Sequence, residues 1–291
     1  MKAFWWRRNK LLILQSMEQP EISNPSLWRL LLLIDGTAIR AVALSTVDDV
    51  QTLAFSVPFD PTASGGLLAA VEEAVYAVPL LTADFAAVDV LVDTPHYLVA
   101  PSEIGPEALE ASARYCCLAD EGETLLTDGA VGHDTAVVWP CPEDLSNFLA
   151  RTFRNPRVSC RITPLLRYIS AKNAGGNGAK LYAHLTGGVR AAVDILAFGR
   201  DGSLLLCTTK DAPTVADAAY WVMAAAREAG LDPAADSIYL CGDTSARLAL
   251  APELARYAAN VLPYIFPSAA LRGGHDAIKA PFPLILIPLC E

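Results

Sequence analysis

The sequence of 291 residues predicts an α/β protein with two similar lobes. Each half of the chain shows the same order of elements: three apolar strands joined by tight turns, a helix, one more strand and a further helix. Between the halves, residues 173–178 read Asn-Ala-Gly-Gly-Asn-Gly, a composition typical of a linker. The repeated βββαβα order therefore predicts two lobes, each built on a mixed sheet with helices.

Three strands open the first half. Leu27 to Ile34 is an apolar run, and Asp35-Gly36 separates it from a second run, Ala38 to Ser45. Asp-Gly between two such runs is a strong signal for a hairpin. A third strand is predicted from Gln51 to Phe59.

The rest of the first half alternates helices and strands. Apolar residues at helical spacing predict a helix that begins near Leu67 and ends before Pro79. The remaining predicted elements are a strand at Val88 to Val92, a helix within Pro101 to Leu118, a strand at Thr135 to Trp139, a helix at Pro142 to Phe153 and a strand at Val158 to Ile162.

The second half repeats the pattern. Its predicted strands are Leu181 to Leu185, Ala191 to Phe198, Leu204 to Thr208 and Ser237 to Cys241. The helix after the third strand has Thr214 and Asp217 as a capping box and Gly230 at its end. A last helix is predicted to run to Val261, and the apolar stretch Phe282 to Leu289 is predicted as a buried terminal strand.

These boundaries predict a first lobe at residues 25–172, a linker at 173–179 and a second lobe at 180–291. Residues 1–24 are interpreted as a flexible segment or as an extension upstream of a true start at Met17. Its aromatic and basic residues could make weak contact with a membrane surface. The four aliphatic residues Leu11 to Leu14 are too few for a signal peptide or a membrane span, so no transmembrane segment is expected.

Composition excludes some function classes. The net charge of −10 disfavours nucleic acid as a partner, because that affinity comes mainly from Lys and Arg neutralising phosphates. Seven cysteines, without a CxxC pair, stand mostly in apolar runs and are interpreted as buried reduced thiols. This pattern predicts a cytoplasmic protein.

Several motifs stand out along the chain: the Leu-rich strand from Leu204, Asp217, Tyr220-Trp221, Gly230-Leu-Asp-Pro233, Tyr239-Leu-Cys-Gly242, Val138-Trp-Pro-Cys-Pro142 and Tyr97-Leu-Val-Ala-Pro-Ser-Glu103. Together they resemble a bacterial family of uncharacterised proteins, domain-of-unknown-function family 3822. The resemblance covers residues 25–291. It implies a two-lobed actin-like ATPase fold, which is ribonuclease H-like. Because the family has no assigned activity, the resemblance implies no reaction.

In working actin-like ATPases, the first turn of each lobe reads Asp-x-Gly-Thr/Ser. The carboxylates hold hydrated Mg²⁺, the turn amides bind phosphates, and a third motif of two glycines approaches the adenosine. If Mg-ATP binds here, the resemblance implies that its contacts are Asp35, Gly36, Thr37, Thr186, Gly187, Gly188, Gly242 and Asp243. These residues are the candidate cofactor-binding set.

The chain departs from all three patterns. Asp35-Gly36-Thr37 lacks the residue between Asp and Gly, and no carboxylate precedes Gly187-Gly188. In the third motif, Asp243 replaces a glycine and is predicted to be a helix N-cap, with Thr244 and Ser245 as rivals. Asp194, in the strand after the second turn, is expected either to face solvent or to pair with a neighbouring group.

No other catalytic pattern stands out, so no catalytic residue and no metal ligand is predicted. The four histidines, His96, His133, His184 and His275, lack metal-site spacing, and each is interpreted as a surface or singly hydrogen-bonded side chain. The acidic run Asp120 to Glu123 is interpreted as a solvated turn.

The sequence therefore favours a non-catalytic scaffold, a pseudo-ATPase that binds an unidentified protein or peptide partner and needs no cofactor. The alternative is an ATP-binding or slow ATP-hydrolysing protein that holds Mg-ATP in the interlobe cleft. A relic of a sugar or metabolite kinase, with binding but no turnover, is a third possibility.

Overall fold

A computed structural model describes residues 22–47, 51–116, 118–129, 131, 135–173, 175–186, 191–265 and 280–290. Thirteen strands lie in these ranges. Those of the first half are β1 (Trp28–Ile34), β2 (Ala38–Ser45), β3 (Thr52–Pro58), β4 (Ala87–Val92), β5 (Leu98–Pro101), β6 (Glu123–Asp128), β7 (Thr135–Pro142) and β8 (Arg157–Cys160). Those of the second half are β9 (Lys180–Thr186), β10 (Ala192–Phe198), β11 (Leu204–Asp211), β12 (Ser237–Gly242) and β13 (Asn260–Pro263).

Eight α-helices lie in the same described ranges. They are α1 (Pro61–Ser64), α2 (Leu67–Ala77), α3 (Pro106–Tyr115), α4 (Glu143–Thr152), α5 (Ile162–Lys172), α6 (Val215–Glu228), α7 (Thr244–Leu254) and α8 (Phe282–Leu286). Short 3₁₀ helices occur at Pro25–Leu27, Pro79–Thr82 and Ile287–Cys290. The capping box predicted for α6 is present, because Thr214 accepts from the Asp217 amide and Asp217 accepts from the Thr214 amide.

The two large sheets have the same topology. In the first lobe the strand order is β3-β2-β1-β4-β8, and in the second it is β11-β10-β9-β12-β13. In each sheet the three strands that come first along the chain pair in antiparallel fashion. The two later strands run parallel to the central strand, which is β1 in the first sheet and β9 in the second. This correspondence confirms the duplicated two-lobed α/β fold.

Each face of the second sheet has its own partner. Val193 and Ile195 of β10 belong to an apolar cluster with residues of α6 and α7. Leu196 and Phe198, which point to the opposite face, belong to the core that also contains Leu165 of α5. Because side chains alternate along a strand, Asp194 lies on this second face, toward the first lobe.

The first lobe carries an addition that the sequence did not predict as a sheet. Strands β5, β7 and β6 form a separate antiparallel sheet, in which β7 pairs with both neighbours. β7 was predicted as a strand, and β5 lies in Tyr97 to Glu103, a run that was interpreted as a strand leading into a loop. β6 was not predicted. β6 begins at Glu123, the last residue of the acidic run that was assigned to a turn.

The helix α5 was also missed, and its composition explains why. Eight of its eleven residues are buried, including the polar Thr163 and Ser170, so that no polar face marks it in the sequence. Pro164 resembles a helix breaker, but it lies in the first turn, where an amide is not needed for an intrahelical hydrogen bond. The helix directly precedes the predicted linker.

Two predictions near the C-terminal end are wrong. The last helix ends at Leu254, not Val261, because residues 260–263 form β13, which pairs with β12 at the sheet edge. The stretch predicted as a terminal strand is the helix α8 followed by a 3₁₀ turn. Pro283 in the first turn of α8 costs no helical hydrogen bond, whereas in a strand it would remove one from the ladder. The helix α8 packs against α5 and β1.

Candidate functional site

The first-lobe turn is closed by its own aspartate. The carboxylate of Asp35 accepts hydrogen bonds from the Thr37 amide at 2.7 Å, the Thr37 hydroxyl at 2.8 Å and the Ala38 amide at 2.8 Å. Its second oxygen pairs with Arg40 Nε at 3.0 Å. The amides that would hold a phosphate in an actin-like ATPase therefore already have an acceptor within the turn.

The electrostatics of Asp35 agree with this geometry. Burial alone would raise its pKa, but hydrogen bonds from Thr37, Arg40 and the two amides outweigh burial and lower the pKa below the ordinary value. The carboxylate is therefore ionised and bonded near neutral pH. Gly36 does not have a positive φ, and a Cβ there would meet no atom within 4 Å. The glycine is not required by this turn.

The second-lobe turn is closed in a different way. Thr186 Oγ1 accepts from the Ala192 amide at 2.9 Å and donates to the Ala192 carbonyl at 3.1 Å. The side chain thus ties the end of β9 to the start of β10. Gly187 and Gly188, the other predicted contacts in this turn, lie outside the described residues.

The third candidate motif packs against the same strand. Gly242 has φ +91°, and a Cβ there would lie 2.1 Å from the Leu185 carbonyl oxygen and 2.9 Å from His184 Cδ2. Only glycine fits this close approach of β12 to β9. Asp243 is the N-cap of α7, because its carboxylate accepts from the Ala246 amide at 2.8 Å and from the Ser245 hydroxyl at 2.6 Å.

The centre of the interlobe region is a buried carboxylate, Asp194, which has no solvent exposure. Arg161 binds it in bidentate fashion, with Nη1 to Oδ2 at 2.5 Å and Nη2 to Oδ1 at 2.7 Å. His184 Nδ1 lies 2.8 Å from Oδ2, and the Thr209 hydroxyl donates to Oδ1 at 2.7 Å. Four donors thus occupy the acceptor sites of one carboxylate.

The network joins the two lobes. Arg161 follows β8 and also donates from Nε to Asp93, which follows β4, at 2.6 Å. On the other side, Tyr97 Oη lies 3.0 Å from Thr209 Oγ1. Because the Thr209 hydroxyl proton goes to Asp194, Tyr97 donates to Thr209. We call Asp93, Tyr97, Arg161, His184, Asp194 and Thr209 the interlobe network.

Charge pairing stabilises the ionised forms in this network. Burial would raise the pKa of Asp194, but the charge and hydrogen bonds of Arg161, with those of His184, lower it well below the ordinary range. Burial would lower the pKa of Arg161, and Asp194 and Asp93 raise it instead. Burial raises the pKa of Tyr97, so its hydroxyl stays protonated.

The topology explains why these groups meet. The parallel strands β1, β4 and β8 end at one edge of the first sheet, and Asp35, Asp93 and Arg161 follow those ends directly. The carboxyl edge of parallel strands is the usual place for ligand sites in α/β folds. Here, side chains of the same protein fill that place.

Sequence reasoning missed most of the network. It flagged Asp194 and left open whether it faces solvent or pairs, and the structure shows that it is buried and paired. His184 was interpreted as a surface or singly hydrogen-bonded residue, and the second alternative is correct, because His184 is buried and hydrogen-bonded to Asp194. A charge within the apolar strand Ala192–Phe198 was the available signal, because buried charges need partners.

Within the described ranges, no group of three or more His, Cys, Asp or Glu side chains could hold a metal ion. The described helices include none with the length and apolar character needed to cross a bilayer.

The two five-stranded sheets of identical strand order place this chain in the class of proteins with the actin-like ATPase fold. A protein of that fold and unknown function from Bacteroides thetaiotaomicron is similar, with 20% identity, a TM-score of 0.74, and coverage of 84% of this chain and 94% of that one. The chain belongs to the family described as "Protein of unknown function (DUF3822)", whose model matches residues 18–261. That family is the one indicated by the sequence motifs.

A more distant similarity is to the PilM-PilN type IV pilus biogenesis complex, with 12% identity and a TM-score of 0.50. That match covers 91% of this chain and 98% of the other. The ethanolamine utilization protein EutJ from Carboxydothermus hydrogenoformans matches at 10% identity and a TM-score of 0.47, covering 96% and 97% of the two chains. No curated protein matches the sequence.

Proposed function

We propose that this protein is a cytoplasmic, non-catalytic scaffold, a pseudo-ATPase that uses an actin-like body to bind a protein or peptide partner. The proposal rests on one observation: the groups that would bind phosphate are already hydrogen-bonded to other groups of the same chain. The Thr37 and Ala38 amides donate to Asp35, and Thr186 closes the second turn onto Ala192. A phosphate would have to displace a charged acceptor from its own turn.

The interlobe network supports the same proposal. Between the lobes, this chain has a buried ion pair of Arg161 with Asp194, and every acceptor site of the Asp194 carboxylate is occupied. Removing one partner of such a pair costs about 3–5 kcal/mol, because a buried charge is left unpaired. The ion pair therefore favours the arrangement of the lobes in which Arg161 and Asp194 meet.

Two further observations fit this function. The PilM-PilN type IV pilus biogenesis complex, which contains a chain of similar fold, is by its description an assembly of one protein with another. The described cysteines are free thiols, consistent with the reducing cytoplasm. Fold alone does not determine function, so the proposal depends on the geometry of the turns.

The test is affinity capture of the full-length tagged protein from cells that express it at native levels. We expect one partner to be recovered in stoichiometric amount, equally with added Mg-ATP and with excess EDTA. A matched capture with an unrelated tagged protein excludes adhesion to the resin. Recovery of no stoichiometric partner, or of a partner released by Mg-ATP, would contradict the proposal.

A further inference from the structure

A groove of about 370 Å³ opens on the first lobe, apart from the interlobe network. It lies beside β4, β8, α5 and the 3₁₀ helix Ile287–Cys290. Its charged lining is three arginines and two aspartates, namely Arg29, Arg157, Arg167, Asp89 and Asp128. The volume falls in the range of small-molecule sites. We call this feature the arginine groove.

One carboxylate in the arginine groove is paired with two guanidinium groups. Asp89 is buried, and Arg29 Nε approaches its Oδ2 at 2.6 Å. Arg157 binds the same carboxylate, with Nε at 2.8 Å from Oδ1 and Nη2 at 3.4 Å from Oδ2. The Asp89 carboxylate is therefore bonded to both guanidinium groups.

The second carboxylate, Asp128, is also hydrogen-bonded within the protein. Asp128 accepts hydrogen bonds from the Cys160 amide at 2.9 Å and from the Thr163 hydroxyl. Burial raises its pKa, and these hydrogen bonds only partly offset that effect. Both carboxylates of the groove are therefore bonded to groups of the protein.

The third arginine has a different environment. Arg167 is half-buried on α5 and acts on Asp128 only through its charge. Within the described part of the chain, Arg167 forms no ion pair and no hydrogen bond. Thr127 and Ser159, whose hydroxyl groups are neutral donors, line the same groove.

We propose that the arginine groove binds a small oxyanion ligand, a phosphate monoester or a short dicarboxylate, with the Arg167 guanidinium as its anchor. A planar guanidinium offers two parallel N–H groups that match the oxygens of phosphate and carboxylate. The adjacent hydroxyls complete the donor set. This site is independent of the phosphate turns at Asp35 and Thr186.

The test is isothermal titration of the full-length protein with inorganic phosphate, glycerol 3-phosphate and succinate, each at one fixed ionic strength, because salt screens exposed charges. We expect saturable binding of at least one probe with a Kd near or below about 1 mM. Arg167→Gln should weaken it about tenfold or more, since a charge-assisted hydrogen bond is lost. Arg167→Lys, which keeps the charge, should weaken it less.

The matched control is Arg256→Gln, which removes the same charge from an exposed ion pair with Glu253. It should leave binding unchanged, and thermal unfolding should show that all variants are folded. Binding of the phosphate probes alone would identify a phosphate site, and preference for succinate a dicarboxylate site. Absence of saturable binding, or equal losses in Arg167→Gln and Arg256→Gln, would overturn the proposal.

Discussion

The two ends of β8 show two different uses of arginine. Arg157 begins the strand and is more than half exposed at the arginine groove, whereas Arg161 follows its last residue and is buried between the lobes. Arg161 meets Asp194 and Asp93, so its charge is fully paired. In the groove, two arginines share Asp89, and Arg167 has no ion-pair partner in the described chain.

This difference indicates where the protein can accept a ligand. A site whose donors and acceptors are all bonded internally gains little from a ligand and holds the fold in one arrangement. A groove lined by a guanidinium that forms no ion pair within the described chain is the better candidate for recognition.

The largest expected effect is the loss of the buried arginine. Arg161→Gln should lower the free energy of unfolding by about 3–5 kcal/mol, because Asp194 would remain buried without its guanidinium partner. Arg167→Gln, the same substitution on α5, should change it by no more than about 0.5 kcal/mol. Urea unfolding measures both values. Equal effects for the two variants would contradict the distinction between the network and the groove.

The next largest effect is expected from a substitution at Gly242, whose backbone packs against His184 of the interlobe network. Gly242→Ala would place a Cβ 2.1 Å from the Leu185 carbonyl oxygen at a positive φ, so β12 must move away from His184. We expect a loss of at least about 2 kcal/mol in unfolding free energy. Gly36→Ala is the matched control, because its Cβ meets no atom within 4 Å. A Gly242→Ala protein as stable as Gly36→Ala would show that the close approach is not required.

A smaller effect distinguishes the two regions by pH. Asp194 has a lowered pKa in the folded state, so its contribution is present above the unfolded pKa of about 3.9 and is lost as pH falls further. Asp128 has a raised pKa, so its ionisation lowers stability as pH rises from about 4 through that pKa. The two groups therefore act with opposite sign.

Urea unfolding of Asp128→Asn and Asp194→Asn between pH 3 and pH 7 tests this expectation, with pH as the only variable. Relative to wild type, Asp128→Asn should gain stability as pH rises, because it lacks the carboxyl that must ionise in a buried place. Asp194→Asn should be least stable relative to wild type near neutral pH. If the unfolding free energy of both variants, relative to wild type, changed in the same direction with pH, the opposite environments assigned to the two carboxyls would be contradicted.

Much of the fold could be predicted from the sequence because its strands are continuous apolar runs. The Asp217 capping box and the turn at Asp35 also mark their elements locally. Local signals failed where tertiary burial decides the structure. The helix α5 has no regular alternation of apolar and polar residues, because polar residues such as Thr163 and Ser170 are buried along with its apolar ones. The helix α8 forms from a run whose proline lies in the first helical turn, where proline is tolerated.

The candidate site was less predictable for a different reason. The candidate phosphate-binding residues in the first turn of each lobe could be selected because they directly follow a predicted strand. Asp243 could be predicted as an N-cap because it directly precedes a predicted helix. The interlobe network depends on pairs far apart in the chain, such as Arg161 with Asp93 and Arg161 with Asp194, separated by 68 and 33 residues. No spacing rule connects them, although a charge in an apolar strand indicated that Asp194 needed a partner.

The most direct test of the closed interlobe site is calorimetric titration of the full-length protein with Mg-ATP, in parallel with Asp35→Ala. Because Asp35 holds the turn amides and the interlobe network fills the strand-end region, we predict no saturable heat for wild type at millimolar nucleotide. Micromolar binding of Mg-ATP to wild type that Asp35→Ala abolishes would contradict the scaffold proposal and establish the interlobe region as a nucleotide site.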